Sequence, residues 1–198
     1  MLSSLASRLQ KAGLSGFEEL SGIPGTLGGG IYMNAGAYGG ELKNLIKEVT
    51  FVTREGKIFT LPNYELDFGY RHSIFEDNGA VILSATLELE KGDSDEIKAR
   101  MSEFTKRRNE KQPINMPSAG SAFKRPEGYF AGKLVEDANL KGYTVGGAKV
   151  SEKHCGFVIN TGNATCEDVL GVIKYVQNTV FAKFGVELET EVKIIEAQ

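Results

Sequence analysis

Residues 21–41 read SGIPGTLGGGIYMNAGAYGGE and hold eight of the 24 glycines in this 198-residue chain. Glycine makes up about 12% of the whole, against about 7% in an average protein. A loop of this kind can adopt positive φ and lets a ligand approach the main chain closely. That suits a pyrophosphate, which is bound well by backbone N–H groups. The string is not a P-loop, because GxxxxGK[ST] is absent. Gly28-x-Gly30 lacks the third glycine of a dinucleotide fingerprint and follows no predicted strand. From composition alone a second reading stands beside the nucleotide one: tight turns that pack a sheet onto a helix.

On the N-terminal side, Leu2, Leu5, Ala6 and Leu9 recur at the spacing of one helix face, and Gly13 supplies a stop. A helix at the very first residue is unexpected for a complete domain. On the C-terminal side, Glu48–Thr53 and Lys57–Leu61 read as a hairpin turned by Arg54-Glu55-Gly56. Ala80–Glu90 reads as a strand that buries Leu83, Ala85, Leu87 and Leu89 on one face. Asp93–Lys111 is a helix capped by Asp93 with Glu96, and Ile97, Met101 and Phe104 form its apolar stripe.

Near Gln112 the charged helix gives way to a polar loop, Gln112–Gly128, and the domain boundary is placed there, giving 1–112 and 113–198. Tyr129–Leu140 reads as a helix, followed by strands around Tyr143–Val150 and Gly156–Asn160. Thr165 and Asp168 form a capping box for a last helix closed by Gly185. A final strand is expected over Val186–Ile195, with Val186, Leu188, Val192 and Ile194 inward. The class is α+β with mixed sheets.

Hydrophobic residues are 41% and charged residues 25%, values of a folded globular chain. No apolar run approaches a bilayer span, and Met1–Lys11 is too polar for a secretory signal, so the expected place is the cytoplasm. The net charge of -3 speaks against a dominant nucleic-acid surface. Cys155 and Cys166 form no CxxC, and with two histidines no metal site is expected. Two free thiols are the expected state.

Several strings occur together in order. They are GIPGTLGGGIYMNAGAYGGE (22–41), Tyr70-Arg71-x-Ser73, PSAGSAFKRP (117–126) and Ala131-Gly132-Lys133-Leu134. Gly146-Gly147-Ala148-Lys149-Val150-Ser151-Glu152-Lys153-His154, Asn160-Thr161-Gly162-Asn163-Ala164 and Leu188-Glu189-Thr190-Glu191-Val192 follow. This set resembles the UDP-N-acetylenolpyruvoylglucosamine reductase (MurB) family of bacterial cell-wall synthesis along essentially the whole chain. The resemblance implies the end part of a PCMH/MurB-like FAD-binding domain over 1–112, and a small α+β substrate-binding domain over 113–198. The family's earlier GGGSN-type flavin loop has no counterpart here, so a partial flavin site is expected. One departure is Glu196, where the family usually has glycine.

The resemblance further implies that NADPH reduces FAD, and that hydride then passes to an enolpyruvyl carbon on a UDP sugar. Hydride addition beside a carboxylate builds an enolate, which needs a cation and an acid. Arg71, Ser121 and Glu191 match the family's catalytic arginine, proton donor and glutamate. They are expected to meet around one alkene. From the residues alone, without the motif, Arg71 reads as a surface arginine paired with Glu65, Asp67 or Glu76; the motif favours the functional role. Ser121 could be a turn serine. Glu191 could be one of three solvated glutamates with Glu187 and Glu189.

The implied flavin contacts are Gly22, Ile23, Pro24, Gly25, Thr26, Gly28, Gly29, Asn34, Ala35 and Gly36. The implied substrate contacts are Lys111, Lys124, Arg125 and His154. Expected partners are the UDP sugar and NADPH, with no nucleic acid and no membrane. The competing expectation is a flavin-free chain that binds the UDP sugar without turning it over.

Overall fold

Val49 and Phe51 alternate inward along the hairpin's first strand and begin the core of the first half. The structure is a computed structural model and describes residues 1–195, so the departure at Glu196 lies outside it. The chain divides into two compact units, Met1–Arg108 and Asn109–Gln198.

The first unit runs α1 (Leu2–Lys11), β1 (Leu14–Ser15), α2 (Leu27–Tyr32), β2 (Gly36–Ala37), β3 (Gly40–Glu41), β4 (Ile46–Val52) and β5 (Ile58–Pro62). It continues with α3 (Phe75–Asn78), β6 (Val81–Leu87), β7 (Glu90–Lys91) and α4 (Ser94–Lys111), whose residues from Asn109 on belong to the second unit. β4 is the middle of an antiparallel sheet ordered β5-β4-β6. The predicted turn is present, with Gly56 at φ 80. Leu2, Leu20, Ile31, Leu42, Leu66 and Phe75 fill the core against this sheet. Asp93 caps α4, its Oδ1 accepting from the N–H groups of Asp95 and Glu96, both at 3.0 Å.

The second unit runs β8 (Ser118–Ser121), α5 (Ala131–Asp137), β9 (Thr144–Val145), β10 (Ala148–Val150), β11 (Phe157–Asn160) and α6 (Cys166–Phe184). The sheet order is β8-β11-β10-β9. α6 lays Val172, Ile173, Val176 and Val180 into the core with Val135 and Val150. The expected capping box of Thr165 and Asp168 is present, and Gly185 ends α6 in the left-handed region. Asp168 Oδ2 also accepts from Gly147 N–H at 3.1 Å, tying the helix start to the Gly146-Gly147 turn.

Five expectations are corrected. Every strand pairing among the described residues is antiparallel, so the sheets are not mixed. The loop Gln112–Gly128 contains a strand, β8, whose small residues carry no alternating pattern. The helix over Tyr129–Leu140 is shorter, Ala131–Asp137. Leu83 does not face inward and is 53% exposed. Opposite Thr50 and Phe51 stand Ser84 and Ile82, so Leu83 is the extra residue of a bulge that reverses the inward parity.

Finally, Val186–Ile195 is not a continuous strand. It forms a single bridge, Phe123 to Thr190, and Ile194 is exposed. The Gln177 side-chain N–H bonds the Leu188 carbonyl at 2.8 Å, so a side chain stands where a ladder partner would be.

Candidate functional site

In the first unit the glycines of 21–41 separate into two kinds. Gly30, Gly36 and Gly40 pack: an added Cβ would lie 2.7 Å from Leu42 Cδ1, 2.8 Å from the Gly40 carbonyl and 2.9 Å from Glu19 Cβ respectively. Gly25, at φ 139, has nothing within 4 Å of that position, and at Gly28 the nearest atom is Ile82 Cβ at 3.8 Å. Bare, partly exposed main chain of this sort admits a bulky ligand, so Gly25 and Gly28 leave room for a flavin. Ile23 packs against the core, Pro24 and Thr26 are exposed, and Arg108 lies over Gly22. Gly29 N–H donates to the Thr26 hydroxyl at 3.0 Å.

The other implied flavin contacts are differently placed. Ala35 is buried in the core. Asn34 is 1% exposed, and its side chain is engaged within the protein. Its Nδ2 donates to Glu41 Oε2 at 2.9 Å and to the Gly69 carbonyl at 2.8 Å, while Oδ1 accepts from Lys43 N–H at 2.9 Å.

Arg71 sits in a tight turn, Gly69–His72, closed by Gly69 N–H to the His72 carbonyl at 3.1 Å. Its φ is 54, a left-handed value unusual for arginine. Its guanidinium lies over the Tyr70 ring at 5.0 Å. The turn is pinned from several sides. The Ser73 hydroxyl, fully buried, donates to the Tyr32 carbonyl at 2.6 Å. The His72 ring stands between Glu76 Oε2 at 3.1 Å and Asp67 Oδ2 at 3.3 Å. These two carboxylates, first Glu76 and then Asp67, raise the His72 pKa above the ordinary histidine value. Glu41 is held below the usual carboxylate range by Lys43 first, then Asn34, with Arg71 adding to the effect.

In the second unit Ser121 ends β8 and pairs with Phe157. The next residue receives the last segment of the chain: Glu191 N–H donates to the Ala122 carbonyl at 3.0 Å. Ser121 and Glu191 are therefore brought together, and the broken strand still delivers Glu191, partly buried, beside β8. Glu189 is taken by Lys124 in an ion pair.

Beside this strand opens a cavity of about 330 Å³ lined by Pro117, Ser118, Gly120, Val158, Asn160 and Val192, a largely apolar recess. Arg125 stacks on Phe130 at 4.0 Å and its Nε donates to the Tyr129 carbonyl at 3.3 Å. His154 Nδ1 accepts from Gly156 N–H at 3.1 Å, which leaves the neutral ring's proton on Nε2. Burial, with the charge of Lys111 adding to it, keeps His154 below the ordinary histidine range. Gly132 and Gly156 leave room for that ring: a Cβ on either would lie 3.1 and 3.0 Å from its Cε1.

The chain aligns with the solved structure of UDP-N-acetylenolpyruvylglucosamine reductase (MurB) from Thermus caldophilus at a TM-score of 0.85 and 38% identity, over 96% of this chain and 68% of that one. The chain belongs to the MurB family. Residues 1–62 match the FAD binding domain family, and residues 112–195 match the UDP-N-acetylenolpyruvoylglucosamine reductase C-terminal domain. The architecture is thus part of a FAD-binding domain followed by the MurB C-terminal domain, and the cofactor of that architecture is FAD.

Relatives named UDP-N-acetylenolpyruvoylglucosamine reductase are 57% identical over 98% of this chain in Clostridioides difficile (strain 630) and 58% identical over 93% in Limosilactobacillus reuteri subsp. reuteri (strain JCM 1112). The chain spans 64% and 62% of their lengths, less than two thirds. No helix among the described residues is long and apolar enough to cross a membrane.

Within this MurB chain, sequence reading missed Glu41 and the structural work of Asn34. The signal available for both was their place in the NAGAYGGE string; Asn34 reaches the Gly69 carbonyl 35 positions on, in the turn of Arg71, whereas Glu41 is held by Asn34 and Lys43.

Proposed function

We propose that this chain serves the NADPH-dependent, FAD-mediated reduction of the enolpyruvyl group of UDP-N-acetylglucosamine enolpyruvate, giving UDP-N-acetylmuramate for peptidoglycan precursors in the cytoplasm. One observation carries the reading: a FAD-binding match and a MurB C-terminal match follow one another in a chain 57% identical, over 98% of its length, to a protein named as that reductase.

Residues Gly22, Ile23, Pro24, Gly25, Thr26, Gly28, Gly29 and Gly36 would hold the flavin, with open main chain at Gly25 and Gly28. The chemistry FAD would supply when bound and reduced by NADPH is a hydride for the alkene carbon distal to the carboxylate. Negative charge then builds on the substrate as an enolate. Arg71 is always charged and planar, suited to stabilise it in bidentate fashion. The Ser121 hydroxyl donates the proton to the adjacent carbon, and Glu191 assists at the same centre. Lys111, Lys124, Arg125 and the Nε2–H of His154 would bind the diphosphate sugar. Residues 1–112 take the flavin role and 113–198 the substrate role.

The test is a visible spectrum with single-turnover kinetics. Purified protein should absorb near about 450 nm, as oxidised flavins do. Ser121→Ala should lower turnover at least about a hundredfold with little change in UDP-sugar affinity. A colourless protein that binds the UDP sugar calorimetrically would select the flavin-free reading. A well-folded protein that binds no UDP sugar would defeat both.

A further inference from the structure

Asn34 and Arg71 both have positive φ without being glycine, at 44 and 54. Such conformations persist only where the surroundings over-determine them. At Asn34 the surroundings are its own side-chain bonds. An asparagine amide has two N–H donors, and here both are spent, one on the Glu41 carboxylate and one on the Gly69 carbonyl. The carbonyl oxygen accepts from the main chain of Lys43. One buried side chain therefore joins three segments: the NAGA loop, the start of the path into β4, and the turn that carries Arg71. Glu41 is in turn fixed by Asn34 and by Lys43 Nζ at 2.9 Å.

We infer that Asn34 is a positioning residue for Arg71, tethering the Gly69–His72 turn to the glycine-rich loop. This assigns the Asn34 side chain a role other than touching flavin. It deepens the proposed function and rests on Arg71 acting in the reduction.

Hydrogen exchange and kinetics on the full chain test it. Asn34→Ala should speed exchange across Gly69–Ser73 about tenfold, the effect of losing one buried hydrogen bond, while Val49 and Phe51 in β4 stay protected. kcat should fall about tenfold, with KM for the UDP sugar and FAD affinity each changed less than about threefold. Asn34→Gly accepts the positive φ, so it should regain stability over the alanine variant yet keep the low kcat. That separates positioning from folding. Glu41→Gln, which keeps the Asn34 bond to the Gly69 carbonyl, should leave exchange across Gly69–Ser73 unchanged.

Unchanged exchange at Gly69–Ser73 overturns the inference. So does equal loosening of turn and sheet, or a fall in FAD affinity with the turn intact. Turnover that survives Arg71→Ala overturns the role given to Arg71 in the reaction. That failure is distinguishable, because the tether is read from exchange alone.

Discussion

Arg71 and Ser121 are placed by different means. Arg71 rides on a short turn whose position depends on side chains: the amide of Asn34, the hydroxyl of Ser73 and the His72 ring between two carboxylates. Ser121 rides on a strand. β8 is paired to β11 by main chain, and the Ala122 carbonyl takes the N–H of Glu191. Side-chain anchors can be cut one at a time by substitution. Main-chain anchors yield only to changes that displace the backbone itself. The first unit should therefore answer to small polar substitutions, and the second to steric ones.

The largest expected effect is Gly147→Ala. Its Cβ would lie 2.4 Å from the Ala164 nitrogen, where main chain crosses main chain. A loss of about 3 kcal/mol in the second unit is expected by denaturant melts followed at Tyr143 and Tyr175, which stack in that unit. A near-neutral result would show that this unit is as pliable as the first.

Next is Glu18→Gln in the first unit. The Glu18 carboxylate is buried and receives Arg100, the Ser15 hydroxyl and Gly16 N–H. Burial alone would raise its pKa, but Arg100 and the other donors outweigh it and hold the group low. A depressed carboxylate stabilises the fold above its unfolded value, about 4.3, and loses that contribution as the pH falls through the folded value. Glu18→Gln should cost about 2 kcal/mol at neutral pH and flatten the acid limb of a stability-against-pH curve.

Ser73→Ala removes the donor to Tyr32 and the acceptor for Phe75 N–H. About 1.5 kcal/mol is expected in equilibrium melts, with faster exchange in the Arg71 turn. The smallest effect is that of His72→Gln. His72 has a raised pKa, so its contribution is fully present below about 6.5 and disappears as the pH rises through the folded value. Wild-type protein should therefore lose stability between those limits, and the variant should not. A variant that keeps the slope would assign it to another group.

Much of this fold could be read from short stretches. The face of α1, the turn at Gly56, the Asp93 cap, the Thr165–Asp168 box and the stop at Gly185 each depend on residues within one or two turns of chain. The same locality explains the misses. Leu83 belongs to a good alternating pattern, but a bulge against β4 turned it outward. Val186–Ile195 alternates equally well, yet its partner segment beyond β8 offers one bridge. β8 itself, SAGS, has no pattern to read and owes its existence to β11.

By itself the sequence determined the longer elements, several caps and turns, and the ordered motifs that mark the MurB family, because those are set by neighbours along the chain. Only the tertiary structure decided which glycines pack and which stay open, and that Asn34 ties the Arg71 turn to its loop. These are contacts between segments far apart in sequence, and no local pattern records what a side chain will meet once the chain has closed upon itself.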